Sequence, residues 1–107
     1  MVQGVMVVWS NPESDDKEAA YNAWYNDIHI PELTENGLCR RVTRHKVSDT
    51  QIPGAGGSKH RYLAIYEFDD LAAGVAGLGK RSSPSTPGPM DPDTRVALFE
   101  GVFDFTR

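Results

Sequence analysis

Residues 5–9 read Val-Met-Val-Val-Trp. Odd and even positions alike carry apolar side chains, so a strand here must be covered on both of its faces. We predict that this first strand spans residues 3–9. The segment 10–15 that follows, Ser-Asn-Pro-Glu-Ser-Asp, is typical of a turn that caps a helix.

The predicted first helix spans residues 15–28. Ala20, Trp24 and Ile28 are spaced four apart, which indicates a buried stripe along one side of the helix. Pro31 is expected to begin a further short helical turn, because proline is well tolerated in the first turn of a helix.

The remaining elements complete an alternating order. Three further strands are expected at residues 38–47, 61–68 and 95–105, and a second helix at residues 71–78. Two long loops are expected at residues 48–59 and 80–94; the second of these is rich in proline. Asp69 and Asp70 can cap the second helix. That helix carries Gly74, Gly77 and Gly79, each of which costs roughly 1 kcal/mol at an interior helix position, so it needs tertiary support. The β-α-β-β-α-β order predicts one α+β domain over residues 1–107, ferredoxin-like with a four-stranded antiparallel sheet.

Two helices can cover only one face of such a sheet. The other face also carries apolar residues, and the chain offers no further element to cover it. We therefore expect a homodimer, in which a second copy packs against that face of the sheet.

Composition narrows the partners and the location. With 39% hydrophobic residues the chain is ordinary globular protein, and eleven basic against fifteen acidic residues give a net charge of −4. We expect no nucleic acid partner, because phosphate binding normally needs a basic surface. We also expect no membrane span and no signal peptide. Cys39 is the only cysteine, which favours a reducing compartment and a cytoplasmic protein, with Cys39 as a packing residue.

The densest group of chemically active residues lies at the end of the first helix. Tyr21, Tyr25 and His29 stand four apart, so on a continuous helix they share one face. Histidine suits general acid–base catalysis, and a neighbouring tyrosine can hydrogen-bond the same substrate. Spacing alone slightly favours the other interpretation, in which His29 caps the helix C-terminus and the two tyrosines are packing residues.

The segment 24–33, Trp-Tyr-Asn-Asp-Ile-His-Ile-Pro-Glu-Leu, is followed by Gly37 and Leu38 and then by a basic strand. This pattern resembles the EthD-like branch of the dimeric α+β barrel superfamily. The resemblance implies a homodimeric α+β barrel with an apolar cavity between sheet and helices in each subunit. It also implies a catalytic role for His29. The superfamily includes isomerases, cyclases and monooxygenases, so the fold alone does not define the reaction.

Residues on the sheet could complete a site. We predict that Tyr21, Tyr66, Glu67 and Trp9 contact the substrate. Glu67 interrupts an apolar strand, and two interpretations remain open: it orients His29 inside a cavity, or it forms a structural pair with Arg40 or Arg44. His45 and His60 are expected at the surface, and the spacing of the histidines predicts no metal site.

The sequence therefore predicts a cofactor-independent enzyme with His29 and Tyr25 as catalytic residues. Its substrate would be a small apolar carbonyl, lactone or aromatic metabolite, and its reaction an isomerisation, cyclisation or dehydration, the work of an isomerase, cyclase or lyase. Two alternatives stay open. One is an oxidative enzyme of the same fold, either using haem or cofactor-free. The other is a non-catalytic subunit that binds a small molecule.

Overall fold

The computed structural model of the protein describes residues 3–78, 80 and 85–107. Gly79 and Pro84, which belong to the predicted second helix and second loop, lie outside the described residues. The strands are β1 (Gly4–Ser10), β2 (Cys39–Lys46), β3 (Tyr62–Phe68) and β4 (Arg95–Glu100). Between β1 and β2 the chain forms a 3₁₀ turn (Asp15–Lys17), helix α1 (Glu18–Trp24), a π-helical turn (Tyr25–His29) and helix α2 (Ile30–Leu33). Helix α3 (Leu71–Leu78) lies between β3 and β4.

The four strands form one antiparallel sheet in the order β2-β3-β1-β4. This arrangement confirms the predicted ferredoxin-like α+β fold. Strand β4 ends at Glu100, short of the predicted end at residue 105, because its partner β1 begins at Gly4, directly opposite Glu100. Beyond that pair, the amide of Gly101 still donates to the carbonyl of Gln3 at 2.7 Å. Within the described residues, no helix has the length and apolar character needed to cross a bilayer.

Alternate residues of the strands face the helices and form the core. On that side Met6, Tyr62, Ala64, Tyr66 and Phe68 are buried. The opposite side carries no helix among the described elements. Apolar side chains lie on that side and are at least partly exposed: Val5, Val7, Trp9, Leu63, Ile65, Ala97 and Phe99.

The buried stripe of α1 differs from the predicted one. Ala20 is exposed and Ile28 is 40% exposed, whereas Tyr21 and Tyr25 are buried with Trp24. Of the predicted stripe only Trp24 is buried, and the buried side of the segment is completed by Tyr21 and Tyr25. In addition, the π-helical turn contains more residues per turn than an α-helix, so position 29 takes the inward place that a regular helix would give to position 28.

Helix α3 obtains the tertiary support that its glycines require. The Asp70 carboxylate accepts a hydrogen bond from the amide of Ala73 at 3.0 Å, which caps the helix start as the sequence predicts. Gly74 lies flat against the ring of Phe68, since a Cβ built on it would come within 2.1 Å of that ring. A larger residue at position 74 would hold the helix away from the sheet.

Candidate functional site

The π-helical turn forms the centre of the candidate site. The amide of Ile30 donates to the carbonyl of Tyr25, five residues earlier, instead of the carbonyl four residues earlier. Pro31 contributes to this local geometry, because it has no amide hydrogen to donate to the carbonyl of Asp27. Single π-helical turns are frequent at functional sites, where they change the direction in which side chains project.

The aromatic rings on this segment are in contact. The His29 ring stacks on Trp24 with centroids 4.5 Å apart, and it meets the Tyr25 ring edge-on at 4.8 Å. Tyr21 and Tyr25 are 5.6 Å apart in an edge-to-face arrangement. The structure thus brings Tyr21, Tyr25 and His29 together on one side of the helical segment. His29 is half-buried, and the two tyrosines are fully buried.

Buried tyrosine hydroxyls extend from this segment to the sheet. The hydroxyl of Tyr66 donates to that of Tyr25 at 3.2 Å, and the hydroxyls of Ser10 and Tyr21 are 2.5 Å apart. Burial raises the pKa of Tyr25 and, more strongly, the pKa of Tyr66. Both phenols therefore remain protonated at neutral pH and can act as hydrogen-bond donors.

Arg44 of β2 also belongs to the site, which the sequence interpretation missed. Its guanidinium carbon lies 4.2, 5.0 and 5.3 Å from the ring centroids of Tyr25, Tyr62 and Tyr21. Its Nη1 donates to Oδ1 of Asn26 at 2.9 Å. Its Nη2 is buried and has no hydrogen-bond partner among the described residues.

The interior between helix and sheet is occupied by packed tyrosine rings. Tyr21, Tyr25 and Tyr66 are each at most 1% exposed. The half-buried groups, His29 and Arg44, lie at the edge of this cluster. A ligand would therefore reach the site from the side of these two residues.

Two of the predicted substrate-binding residues lie elsewhere. Tyr66 faces the helices, and successive residues of a strand point to opposite faces, so Glu67 lies on the helix-free side. Trp9 lies on that side as well, with the guanidinium of Arg95 5.1 Å from its ring. The structure therefore does not bring Glu67 and Trp9 together with Tyr66 and His29.

The predicted pairing of Glu67 with Arg40 or Arg44 is wrong. A bulge between Cys39 and Arg41 shifts the register of β2, so that Arg41 lies opposite Glu67, with Nη1 and Oε2 3.5 Å apart. A bulge of this kind inserts one residue into a strand and reverses the facing of those beyond it.

The described part of the proline-rich loop, residues 85–94, covers the side of the site formed by Trp24. The indole nitrogen of Trp24 donates to the carbonyl of Thr86 at 2.9 Å. The carboxylate of Glu32 accepts hydrogen bonds from the amide and the hydroxyl of Thr86, at 3.0 and 2.6 Å. A Cβ built on Gly88 would come within 2.0 Å of the Trp24 ring. The loop thus packs on the same indole on which His29 stacks.

The other chemically reactive side chains have ordinary structural surroundings. His45 is exposed, as predicted, but His60 is only 5% exposed, and the prediction of a surface position for it is wrong. The ring Nε2 of His60 lies 3.2 Å from the carbonyl of Asp93, across a contact that only the tertiary fold creates. Cys39 is half-buried against the core, and burial raises its pKa, which agrees with a packing role.

Solved structures with the same fold span nearly the whole chain. An ethyl tert-butyl ether D (EthD) family protein from Bacillus halodurans C-125 superposes with a TM-score of 0.57 at 15% identity, covering 95% of this chain and 100% of the other. HapK from Hahella chejuensis gives 0.56 at 12% identity, with 97% of each chain covered. An EthD-like protein from Ralstonia eutropha JMP134 gives 0.52 at 17% identity, covering 99% and 98%.

These likenesses concern the fold, because the identities are low. No protein-family model matches the chain, and no curated protein matches it. The protein has the α+β fold of the EthD-like proteins, which confirms at the level of fold the resemblance carried by the segment 24–33.

Proposed function

We propose that the protein is a cofactor-independent enzyme in which His29 moves a proton on a small carbonyl, lactone or aromatic metabolite. The observation that carries the proposal is the position of His29. Its ring is half-buried at the end of a π-helical turn, stacked on Trp24 and 4.8 Å from the ring of Tyr25. Packing on two aromatic rings holds the imidazole in one orientation, which acid–base catalysis requires.

The tyrosines supply the second part of the chemistry. The Tyr25 hydroxyl accepts a hydrogen bond from Tyr66, which leaves its own proton available for a substrate oxygen. In an isomerisation, His29 would take a proton from the carbon next to a carbonyl, and Tyr25 would donate a hydrogen bond to the resulting oxyanion. The imidazolium would then return the proton to a different carbon. A preorganised donor of this kind typically contributes several kcal/mol to lowering a barrier.

The test is a turnover screen by mass spectrometry with aromatic, lactone and polyketide-like substrates. We expect His29→Ala to lower turnover about 100-fold or more, as for loss of a general acid–base group. His45→Ala is the matched control, because His45 is exposed and its ring lies within hydrogen-bond distance of Thr43 on its own strand, at 3.1 Å. Full turnover by a folded His29→Ala variant would refute the role of His29. Binding without conversion by the wild type would indicate a binding subunit instead.

We also propose that the protein is a homodimer joined through the helix-free face of the sheet. That face is lined by apolar side chains such as Val7 and Ile65. Beyond β4, Val102, Phe103 and Phe105 are 88, 80 and 68% exposed. Contiguous exposed apolar surface of this kind is typical of a protein interface, and an isologous contact would cover the face in both copies at once.

Light scattering coupled to size-exclusion chromatography tests the dimer. Ile65→Glu places a charge at the centre of the proposed interface and should give monomers, because an unpaired charge is costly to bury. Ala20→Glu on the exposed side of α1, away from the helix-free face, is a control that should leave the dimer intact. A monomeric wild type, or a dimer unaffected by Ile65→Glu, would contradict this arrangement. The lone Cys39 supports the further proposal of a cytoplasmic location.

A further inference from the structure

We propose that Arg44 binds a carboxylate of the substrate, so that the site takes small aromatic or apolar acids. This inference deepens the function proposed above and rests on it for the identity of the bound molecule as a substrate. Three observations carry it: the missing carboxylate partner of Arg44, the geometry of its free donors, and its position beside Tyr25.

The charges of β2 distinguish Arg44 from its neighbours. The other arginines and the lysine of this strand form ion pairs with carboxylates: Arg40 with Asp69 at 3.2 Å, Arg41 with Glu67 at 3.5 Å, and Lys46 with Glu18 at 3.3 Å. Arg44 forms no ion pair with any carboxylate in the described part of the chain. A partly buried cation without a counter-charge is unfavourable, unless an anion arrives from outside.

Aromatic rings contact the guanidinium of Arg44, but not all of its N–H groups have a hydrogen-bond acceptor. The rings of Tyr21, Tyr25 and Tyr62 lie within 5.3 Å of the guanidinium carbon and provide cation–π contacts. Such contacts leave the in-plane N–H groups free to donate. Nη1 donates to the neutral amide oxygen of Asn26, and Nη2 has no acceptor in the described structure.

This donor arrangement matches a carboxylate. The guanidinium presents a planar fork of N–H groups that binds the two oxygens of a carboxylate together. Asn26 is exposed, so its amide can move aside and let a carboxylate take its place on Nη1. The second carboxylate oxygen would then satisfy Nη2, and the aromatic rings around Arg44 would contact the apolar part of the ligand.

The position relative to His29 gives this contact a role in the proposed reaction. Arg44 lies 4.2 Å from the centre of the Tyr25 ring, and the same ring is 4.8 Å from that of His29. A carboxylate held on Arg44 would therefore orient the rest of a small molecule toward Tyr25 and His29. Arg44 is a substrate-binding residue in this scheme, while proton transfer belongs to His29.

The test compares benzoate with benzamide, its neutral isostere, in ligand-observed NMR titrations of the full chain. We expect wild type to bind benzoate about 10-fold or more tightly than benzamide, the size expected for a charge-assisted hydrogen bond. Arg44→Met removes the charge while keeping an apolar side chain of similar length, and it should abolish the preference. Arg40→Met, whose native partner Asp69 lies at the surface, is the matched control and should keep it.

Each outcome decides the inference. Equal affinities of wild type for benzoate and benzamide would overturn it, whatever the variants do. An unchanged preference in folded Arg44→Met would overturn it as well. If Arg44→Met does not fold, Arg44→Lys answers the question: it retains the charge without the planar fork, and we expect it to keep a reduced preference for benzoate. A lysine variant that keeps the full wild-type preference would contradict recognition of the carboxylate by the planar fork of Arg44.

The two proposals can fail separately. His29→Ala should keep the preference for benzoate over benzamide, because that preference depends on the charge of Arg44. Benzoate preference in both proteins, together with full turnover by His29→Ala, would leave the carboxylate site intact and refute the catalytic role of His29. Loss of turnover in His29→Ala without any benzoate preference in wild type would do the reverse.

Discussion

Replacing Gly74 by alanine should destabilise the protein, although alanine is the better helix former. Gly74 lies in the interior of α3 and is buried. A Cβ at this position would come within 2.1, 2.5 and 2.9 Å of three carbons of the Phe68 ring. Non-bonded carbons are normally separated by about 3.5–4.0 Å, so α3 must move away from the sheet or the ring must leave its place.

The size of the effect follows from two opposing contributions. Alanine gains about 1 kcal/mol of helix propensity over glycine. Overpacking a well-filled core typically costs about 1–3 kcal/mol. The Phe68 ring is only 1% exposed and cannot turn into solvent, so we place the cost at the upper end. The net loss should be about 2 kcal/mol in the free energy of unfolding.

Gly77→Ala is the matched control on the same helix. A Cβ there would meet the side-chain nitrogen of Asn36 at 2.5 Å and a methyl group of Leu38 at 3.1 Å. Asn36 accepts a hydrogen bond from the amide of Leu38 at 2.9 Å, but both residues are exposed and their side chains can shift. The gain in helix propensity, about 1 kcal/mol, therefore offsets the small displacement, and this variant should be close to neutral. Urea unfolding at one fixed protein concentration measures both variants. A Gly74→Ala variant as stable as wild type would refute the close packing of α3 on Phe68.

Three further predictions concern the site and its hydrogen bonds. Gly88→Ala should displace the proline-rich loop from Trp24, because a Cβ at position 88 would lie within 2.0 Å of the indole. The tryptophan fluorescence of the protein should therefore change. An unaltered spectrum and unaltered protease resistance of the loop would contradict this. Ser10→Ala should cost about 1–3 kcal/mol by leaving the buried Tyr21 hydroxyl unpaired, and adding Tyr21→Phe should cost less than the sum of the single changes. Because burial raises the pKa of Tyr66, its contribution to stability is complete below the pKa of an unfolded tyrosine, about 10, and is lost as pH rises above it. Tyr66→Phe should therefore flatten the loss of stability between neutral and strongly alkaline pH, and an unchanged alkaline profile would refute that.

The candidate site could be predicted from the sequence only where it follows the chain. Tyr21, Tyr25 and His29 were found because spacing along a helix indicates which side chains share a face. Arg44 could not be assigned in this way, since its place beside the tyrosines depends on the bulge between Cys39 and Arg41. Because the residue pattern does not reveal the bulge, strand parity alone leaves undetermined which face of the sheet each β2 side chain is on.

The separation of Glu67 and Trp9 from Tyr66 and His29 has a similar origin. Alternation along β3 places Tyr66 and Glu67 on opposite faces, and this could have been derived from the sequence. Which of the two faces receives the helices is a tertiary property, because apolar residues occur on both. The helices cover the face of Tyr66, with its buried aromatic side chains, and leave the other face open.

Local sequence patterns were sufficient to predict the order of the elements, the antiparallel ferredoxin-like arrangement and the cap of α3 at Asp70. These features arise from interactions between near neighbours and from periodicity, and both are written in consecutive residues. Only the tertiary structure decided the phase of the first helical segment, the contact of Arg44 with the tyrosines and the packing of Gly74 on Phe68. Each of these depends on strand register or on a helix resting on the sheet, so it is created by residues that are distant in the chain and meet only when the core closes.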